Sequence, residues 1–250
     1  MTAIKQQALY VTRELIGTLG KVAIALAVFA AVIVGFDHAV TSRANAMLVR
    51  QPLPDQTASS DCAIWFVGSS SMSRWTTLPR DMAPWLTHNR AIGGATLDEI
   101  NQRFVRDENP QAPQAIVFYA GENDIAFGTS VTKTINAFRE FDKRKKERFG
   151  NIPLLFVSLK PSPLRWEQRE KQRVVNEAIQ LIAQNSSDVF FVDMAHRILV
   201  NGRPGPFFGD DGLHFNEAGY QILTEEVQNA LRADLPAPVV SRCTSAEHRV

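Results

Sequence analysis

Cysteine is scarce in this chain, with only Cys62 and Cys243 among 250 residues. No group of cysteines and histidines has the spacing of metal ligands, which argues against a zinc site. Charge of one sign is lacking too. The formal net charge is +1, so nothing points to nucleic acid or to a strongly acidic partner. The cationic stretch Lys143-Arg144-Lys145-Lys146 sits on a helical pattern and reads as a solvated face. The sequence has no internal repeat and no low-complexity tract. It also lacks the Gly-x-Ser-x-Gly turn that carries the nucleophile of the α/β-hydrolases, and it has no long apolar insertion that would read as a lid.

Uncharged apolar sequence is concentrated at the N-terminus. Residues 22–36 read VAIALAVFAAVIVGF, and with 15–21 the run is interrupted only by Lys21. That is long enough to span a bilayer, which takes about 20 residues. Lys5, Arg13 and Lys21 precede it and Asp37 follows it, so the positive-inside rule places residues 1–36 as a cytoplasmic n-region and membrane helix, with the rest outside. This predicts a domain held at the inner membrane and facing the periplasm. Ala44-Asn45-Ala46 has the form of a signal-peptidase site, so the alternative is a secreted protein cleaved near Ala46. Residues 37–60 read as a linker, 61–234 as the globular domain and 235–250 as a C-terminal tail. In an exported domain Cys62 and Cys243 pair, or they remain two unrelated thiols.

Within the globular part, short apolar runs at 62–67, 115–120, 153–159 and 189–193 have the character of buried strands, with a weaker one at 88–92. Between them lie amphipathic helical patterns, at 97–105 and around Ile135, Ile179 and Val227. Continuous apolar strands alternating with such helices predict an α/β fold, a doubly wound parallel sheet of about five strands with helices on both faces. Ligands in such folds bind at the carboxyl ends of the strands. Gly68-Ser69-Ser70, Gly121-Glu122-Asn123-Asp124 and Lys160-Pro161-Ser162 each follow a strand and project to that edge.

Those segments hold the chemistry. Ser70 stands on a tight turn after a strand, and a serine hydroxyl becomes a nucleophile only when a base removes its proton. His214, in Asp211-Gly212-Leu213-His214, supplies such a base, and Asp211 can hold the imidazole in one tautomer. Asp210 is the alternative partner. An acyl-transfer intermediate also needs donors for its oxyanion, each worth about 2.7–4 kcal/mol. The Ser70 N–H, the Gly94 N–H and the Asn123 side-chain amide are the candidates. Trp75, Trp85 and Trp166 are either packing residues or pocket walls. Singly, each segment also fits a turn or a helix cap.

Together the four segments resemble the SGNH (GDSL-type) hydrolase family, named for a serine, a glycine, an asparagine and a histidine in four separate blocks. Gly68-Ser69-Ser70 resembles the first block, 89–94 the second, Gly121-x-Asn123-Asp124 the third and Asp211-x-x-His214 the fourth. Ser69 stands where the family's name-giving motif has Asp, and Ala91 where the second block often has Gly. Neither position carries a catalytic group. The wording around 92–94, 119–124 and 158–162 is similar to bacterial members, here with a membrane-anchored N-terminus.

The resemblance implies a flavodoxin-like three-layer α/β/α sandwich, no metal, and hydrolysis of esters or thioesters through an acyl-enzyme. The partner is then a small-molecule ester: a short acyl, glycan or lipid ester. Two other readings stay open. One is an acyltransferase using the same acyl-enzyme; the other is a non-catalytic anchored module that binds a glycan or protein.

Overall fold

The computed structural model describes residues 51–57, 61–109 and 111–245. The apolar segment 22–36 and Ala44-Asn45-Ala46 lie outside them. Among the described residues no helix is long and apolar enough to cross a membrane. The chain divides into Met1–Arg50 and Gln51–Val250, and the account concerns the second unit.

Five parallel strands form the central sheet: β1 (Ala63–Gly68), β2 (Leu86–Asn89), β3 (Ala115–Tyr119), β4 (Leu154–Val157) and β5 (Val189–Val192), in the order β2-β1-β3-β4-β5. Every residue of β1, β3 and β4 is buried. Strands covered by helices on both faces cannot alternate with polar residues, hence their unbroken apolar runs. Alternate residues of β1 show the two layers, because successive side chains leave a strand on opposite faces. Trp65 meets Phe149, with ring centroids 5.3 Å apart. Phe66 instead meets Trp75, at 5.7 Å, and Trp75 stacks on Tyr220.

Helices α3 (Leu97–Val105), α5 (Val131–Phe149) and α6 (Arg169–Gln184) are neighbours in one layer. In the other, α7 (Glu217–Asp234) packs with α8 (Ala237–Thr244), and its Gln228 donates to the Asp81 carbonyl of α2 (Leu78–Asp81). Two short helices, α1 (Ser70–Ser73) and α4 (Glu122–Ala126), directly follow β1 and β3. A two-stranded hairpin, β6 (Leu199–Val200) with β7 (Arg203–Pro204), completes the fold. Local sequence sets the helix starts: Thr96 and Glu99 make a reciprocal capping box on α3, and Asn216 caps α7 by accepting from the Gly219 N–H.

Both flanking segments are structured where described. Leu53 is buried, and the carbonyls of Pro52 and Pro54 accept from Arg103 and Arg90. The part of the sequence-predicted linker at 51–57 is therefore docked on the domain. The predicted tail contains α8, whose Cys243 is bonded to Cys62 with Cα atoms 5.4 Å apart.

The sheet's order reverses between β1 and β3. In open α/β sheets that switch point leaves a crevice at the carboxyl ends, where ligands bind. Here the crevice floor is made by close backbone approach. The Ser69 N–H donates to the Tyr119 carbonyl at 2.9 Å, and a Cβ on Gly68 would lie 2.2 Å from that same oxygen. No side chain fits there, so the chain must enter the Ser69–Ser70 turn through glycine.

Candidate active site

Ser70 opens α1 and its hydroxyl lies 2.8 Å from Nε2 of His214, a residue 144 positions away in sequence. On the other side of the ring, Nδ1 lies 2.6 Å from Asp211 Oδ2. A carboxylate can only accept, so Nδ1 carries the proton and Nε2 is left to accept from the Ser70 hydroxyl. The imidazole is thus held in the tautomer that general-base chemistry requires.

The loop bearing His214 is shaped by its own backbone. Gly209 and His214 are joined N–H to carbonyl at 2.9 Å, Gly212 donates back to Gly209, and Phe208 bridges Phe215. Gly212 has φ +61, in the region that favours glycine, and packs on Pro163 and Leu164. Asp211 Oδ1 accepts the N–H groups of both Leu213 and His214 at 2.9 Å. Arg74 adds a cation 3.4 Å from Oδ2, although both side chains are largely solvent-exposed and the pair contributes little. The bond from His214, with the backbone bonds from His214 and Leu213, holds the Asp211 carboxyl well below the ordinary carboxylate value. It therefore stays ionised throughout the neutral range. Asp210, the alternative orienter, makes no hydrogen bond to His214.

The structure links Asn123 to the Gly94 loop through Ala95, and places the predicted tryptophans away from it. The Ser70 N–H lies in the first turn of a helix, where intrahelical acceptors are lacking. Gly94, at φ +78, is exposed next to the segment where Gly93 faces Ser73 of α1. Among the described residues its N–H has no acceptor. Asn123 is buried and donates through Nδ2 to the carbonyl of Ala95, beside Gly94, at 3.0 Å. Of the tryptophans, Trp75 and Trp85 are buried in the core, and Trp166 lines a separate cavity of about 470 Å³ beside α6. A cavity of about 300 Å³ borders Arg74, Asp211, His214 and Tyr220.

A family model for the GDSL-like lipase/acylhydrolase family matches residues 37–222. The chain belongs to this family. Three solved structures share the fold of this GDSL-like hydrolase. One is a GDSL-like lipase from Bacteroides thetaiotaomicron VPI-5482, at 20% identity over 78% of this chain and 98% of that one, with a TM-score of 0.58. Another is a family 3 carbohydrate esterase from Clostridium thermocellum, at 18% identity over 70% and 99%, TM-score 0.56. The third is a lipase/acylhydrolase from Enterococcus faecalis, at 16% identity over 70% and 97%, TM-score 0.55. No curated protein matches the chain.

The GDSL-like hydrolase also has site residues that sequence reasoning missed. Lys160 is fully buried and its Nζ lies 2.8 Å from Glu122, 3.0 Å from the Ser71 hydroxyl and 3.1 Å from the Tyr119 hydroxyl. Burial pulls the Lys160 pKa down while Glu122 opposes the change. Burial likewise pushes the Tyr119 phenol up, with Glu122 reinforcing it. Arg165 donates to Asn123 Oδ1 at 2.8 Å. Lys160 was marked in the sequence by its place just after a strand and by the family-like wording of 158–162, with no role assigned, and Arg165 had no signal.

Asp124 ties the third block to the start of α3, because both its carboxylate oxygens face the Leu97 N–H that opens that helix. Burial outweighs that bond and raises its pKa from 3.8 to about 6. The folded state then binds more protons than the unfolded chain between these values. Its contribution is fully present below about pH 4 and is lost as pH rises through about 6, on the order of 3 kcal/mol in all. Urea unfolding of the native protein should show this decline. Asp124→Asn, which keeps an acceptor for Leu97, should flatten it; parallel pH curves for the two proteins would contradict the assignment.

Proposed function

We propose that this hydrolase cleaves carboxylic esters or thioesters through an acyl-enzyme on Ser70. The observation that carries the reading is the unbroken chain Asp211–His214–Ser70, with its 2.6 and 2.8 Å contacts. His214 Nε2 takes the Ser70 proton as Oγ bonds to the acyl carbon. The Ser70 N–H, the Gly94 N–H and the Asn123 amide receive the charge that develops on the carbonyl oxygen. The tetrahedral adduct collapses, His214 protonates the departing alcohol or thiol, and the acyl group stays on Ser70. Water then adds with His214 again as base, releasing the acid and restoring the hydroxyl. Asp211 stabilises the imidazolium formed in each half-reaction.

The substrate we infer carries a small acyl group, since the sequence has no long apolar insertion that would serve as a lid and Gly94 lies open to solvent. Esters of sugars and of lipids both fit this class, in keeping with the carbohydrate esterase and lipase among the structural neighbours. We place the enzyme outside the cytoplasm, held by the apolar segment 22–36. The Cys62–Cys243 bond supports that location, because disulfides persist in oxidising compartments.

Treating the protein isolated from cells with a fluorophosphonate and weighing it intact addresses both parts. A single adduct that maps to Ser70 is the expected result, on a chain that retains residues 22–36. A label on any other residue refutes the assigned nucleophile. A mature chain beginning near Ala46 refutes the anchor.

A further inference from the structure

The connection from β4 to α6 carries two cations, and they grip the two residues that open α4. Lys160 holds Glu122 and is neutralised by it at 2.8 Å. Arg165 holds Asn123, the next residue, through Nη2 to Oδ1 at 2.8 Å. Arg165 has no such neutralising partner, since among the described residues no carboxylate lies within 4.0 Å of its guanidinium. A half-buried cation is thus left uncompensated beside the Ser70 turn. Its backbone is fixed from both sides: the Arg165 N–H donates to the Ser162 carbonyl, and the Leu164 N–H donates to the carbonyl of Gly212 in the His214 loop.

Asn123 is constrained at both ends of its amide. Oδ1 accepts from the guanidinium and Nδ2 donates to the Ala95 carbonyl. Rotating the amide by half a turn would set NH2 against the cation and oxygen against oxygen, so one orientation is enforced. In that orientation the second Nδ2 hydrogen is free of Ala95. A cation drawing on the amide oxygen also strengthens the N–H groups of the same amide as donors, because linked hydrogen bonds polarise one another.

We propose that Arg165 is a positioning residue for the oxyanion site: it orients and polarises Asn123, and its charge is answered when the carbonyl oxygen becomes negative. The proposal rests on the reading of Ser70 as nucleophile and adds a role for a cation outside the four sequence blocks. A group that acts only as the negative charge forms should change kcat and leave KM nearly untouched.

The test is steady-state hydrolysis of p-nitrophenyl acetate and of a p-nitrophenyl ester bearing a free carboxylate. The proteins compared are the parent, Arg165→Gln, Arg165→Met, Arg165→Lys, Asn123→Ala and Asn123→Ala/Arg165→Gln, each checked by thermal melting. Removing an oxyanion donor outright costs roughly 10²–10³ in kcat, which bounds what a residue acting through that donor can cost. Arg165→Gln and Arg165→Met should lose about ten- to a hundredfold in kcat, with KM within about twofold, equally for both esters. Arg165→Lys should recover most of the loss. In the Asn123→Ala background, Arg165→Gln should cost no more than about twofold.

Full kcat in Arg165→Gln overturns the proposal, as does an undiminished loss in the Asn123→Ala background. A loss confined to KM for the carboxylated ester also overturns it, and makes Arg165 a substrate-anion contact. If Arg165→Met fails to melt cooperatively, Arg165→Gln and Arg165→Lys still decide, since they differ in charge. An active Ser70→Ala would sink the nucleophile assignment; an inactive Ser70→Ala beside a fully active Arg165→Gln sinks only the role of Arg165.

Discussion

Replacing Ser70 with alanine is expected to lower kcat by about 10⁵- to 10⁶-fold while the protein melts as before. Ser70 is half-buried, and among the described residues its hydroxyl meets only His214, so its removal leaves no orphaned partner in the core. The loss falls on the chemical step, because no other hydroxyl occupies the 2.8 Å position on Nε2. His214→Ala should cost a similar factor. The double variant should be no worse than either alone, since base and nucleophile act as one unit. Stopped-flow or steady-state release of p-nitrophenol measures all three. Separate, multiplicative losses would mean that the two residues do not share one proton transfer.

Asp211→Asn should cost about 10⁴-fold in kcat. Asparagine is the informative substitution because its oxygen can still accept the N–H groups of Leu213 and His214, so the loop keeps its shape. What changes is the Oδ2 contact to Nδ1, together with the exposed and weak Arg74 pair on the same oxygen. An amide NH2 there donates to Nδ1 and drives the ring proton to Nε2, which can then no longer accept from Ser70. The residual rate should rise toward alkaline pH, where serine loses its proton unaided. A loss below tenfold would mean that the ring is oriented by other contacts and that Asp211 serves the loop alone.

The fold was legible from the sequence because its strands are buried on both faces, which writes them as apolar runs. The weak strand was the one displaced. The pattern predicts it over 88–92, whereas β2 is Leu86–Asn89. An edge strand is covered on one side only, so its own apolar signal is diluted. Ala91 and Ile92 belong to the following loop, which still bonds to β1 through Ile92. The contact of Ser70, His214 and Asp211 was legible because each sits in a short block with a local reason for its residue type.

The buried charges were not legible. Lys160 meets Glu122 across 38 positions and Arg165 meets Asn123 across 42. Such pairings depend on how the β4–α6 connection crosses the switch point, which no local pattern records. The docking of 51–57 was hidden for a related reason. Its prolines and polar residues have loop composition, yet their carbonyls serve buried arginines.

The bond between Cys62 and Cys243 joins residues 181 positions apart, and the proton acceptor at 214 likewise comes late. During synthesis Ser70 emerges first and has no imidazole beside it until 144 further residues have followed. A truncated product lacking the last turn of α8 cannot form the covalent clasp, and one ending before 214 has a serine without a base. The contact between Ser70 and His214 in this way waits for residue 214, and the covalent clasp for residue 243.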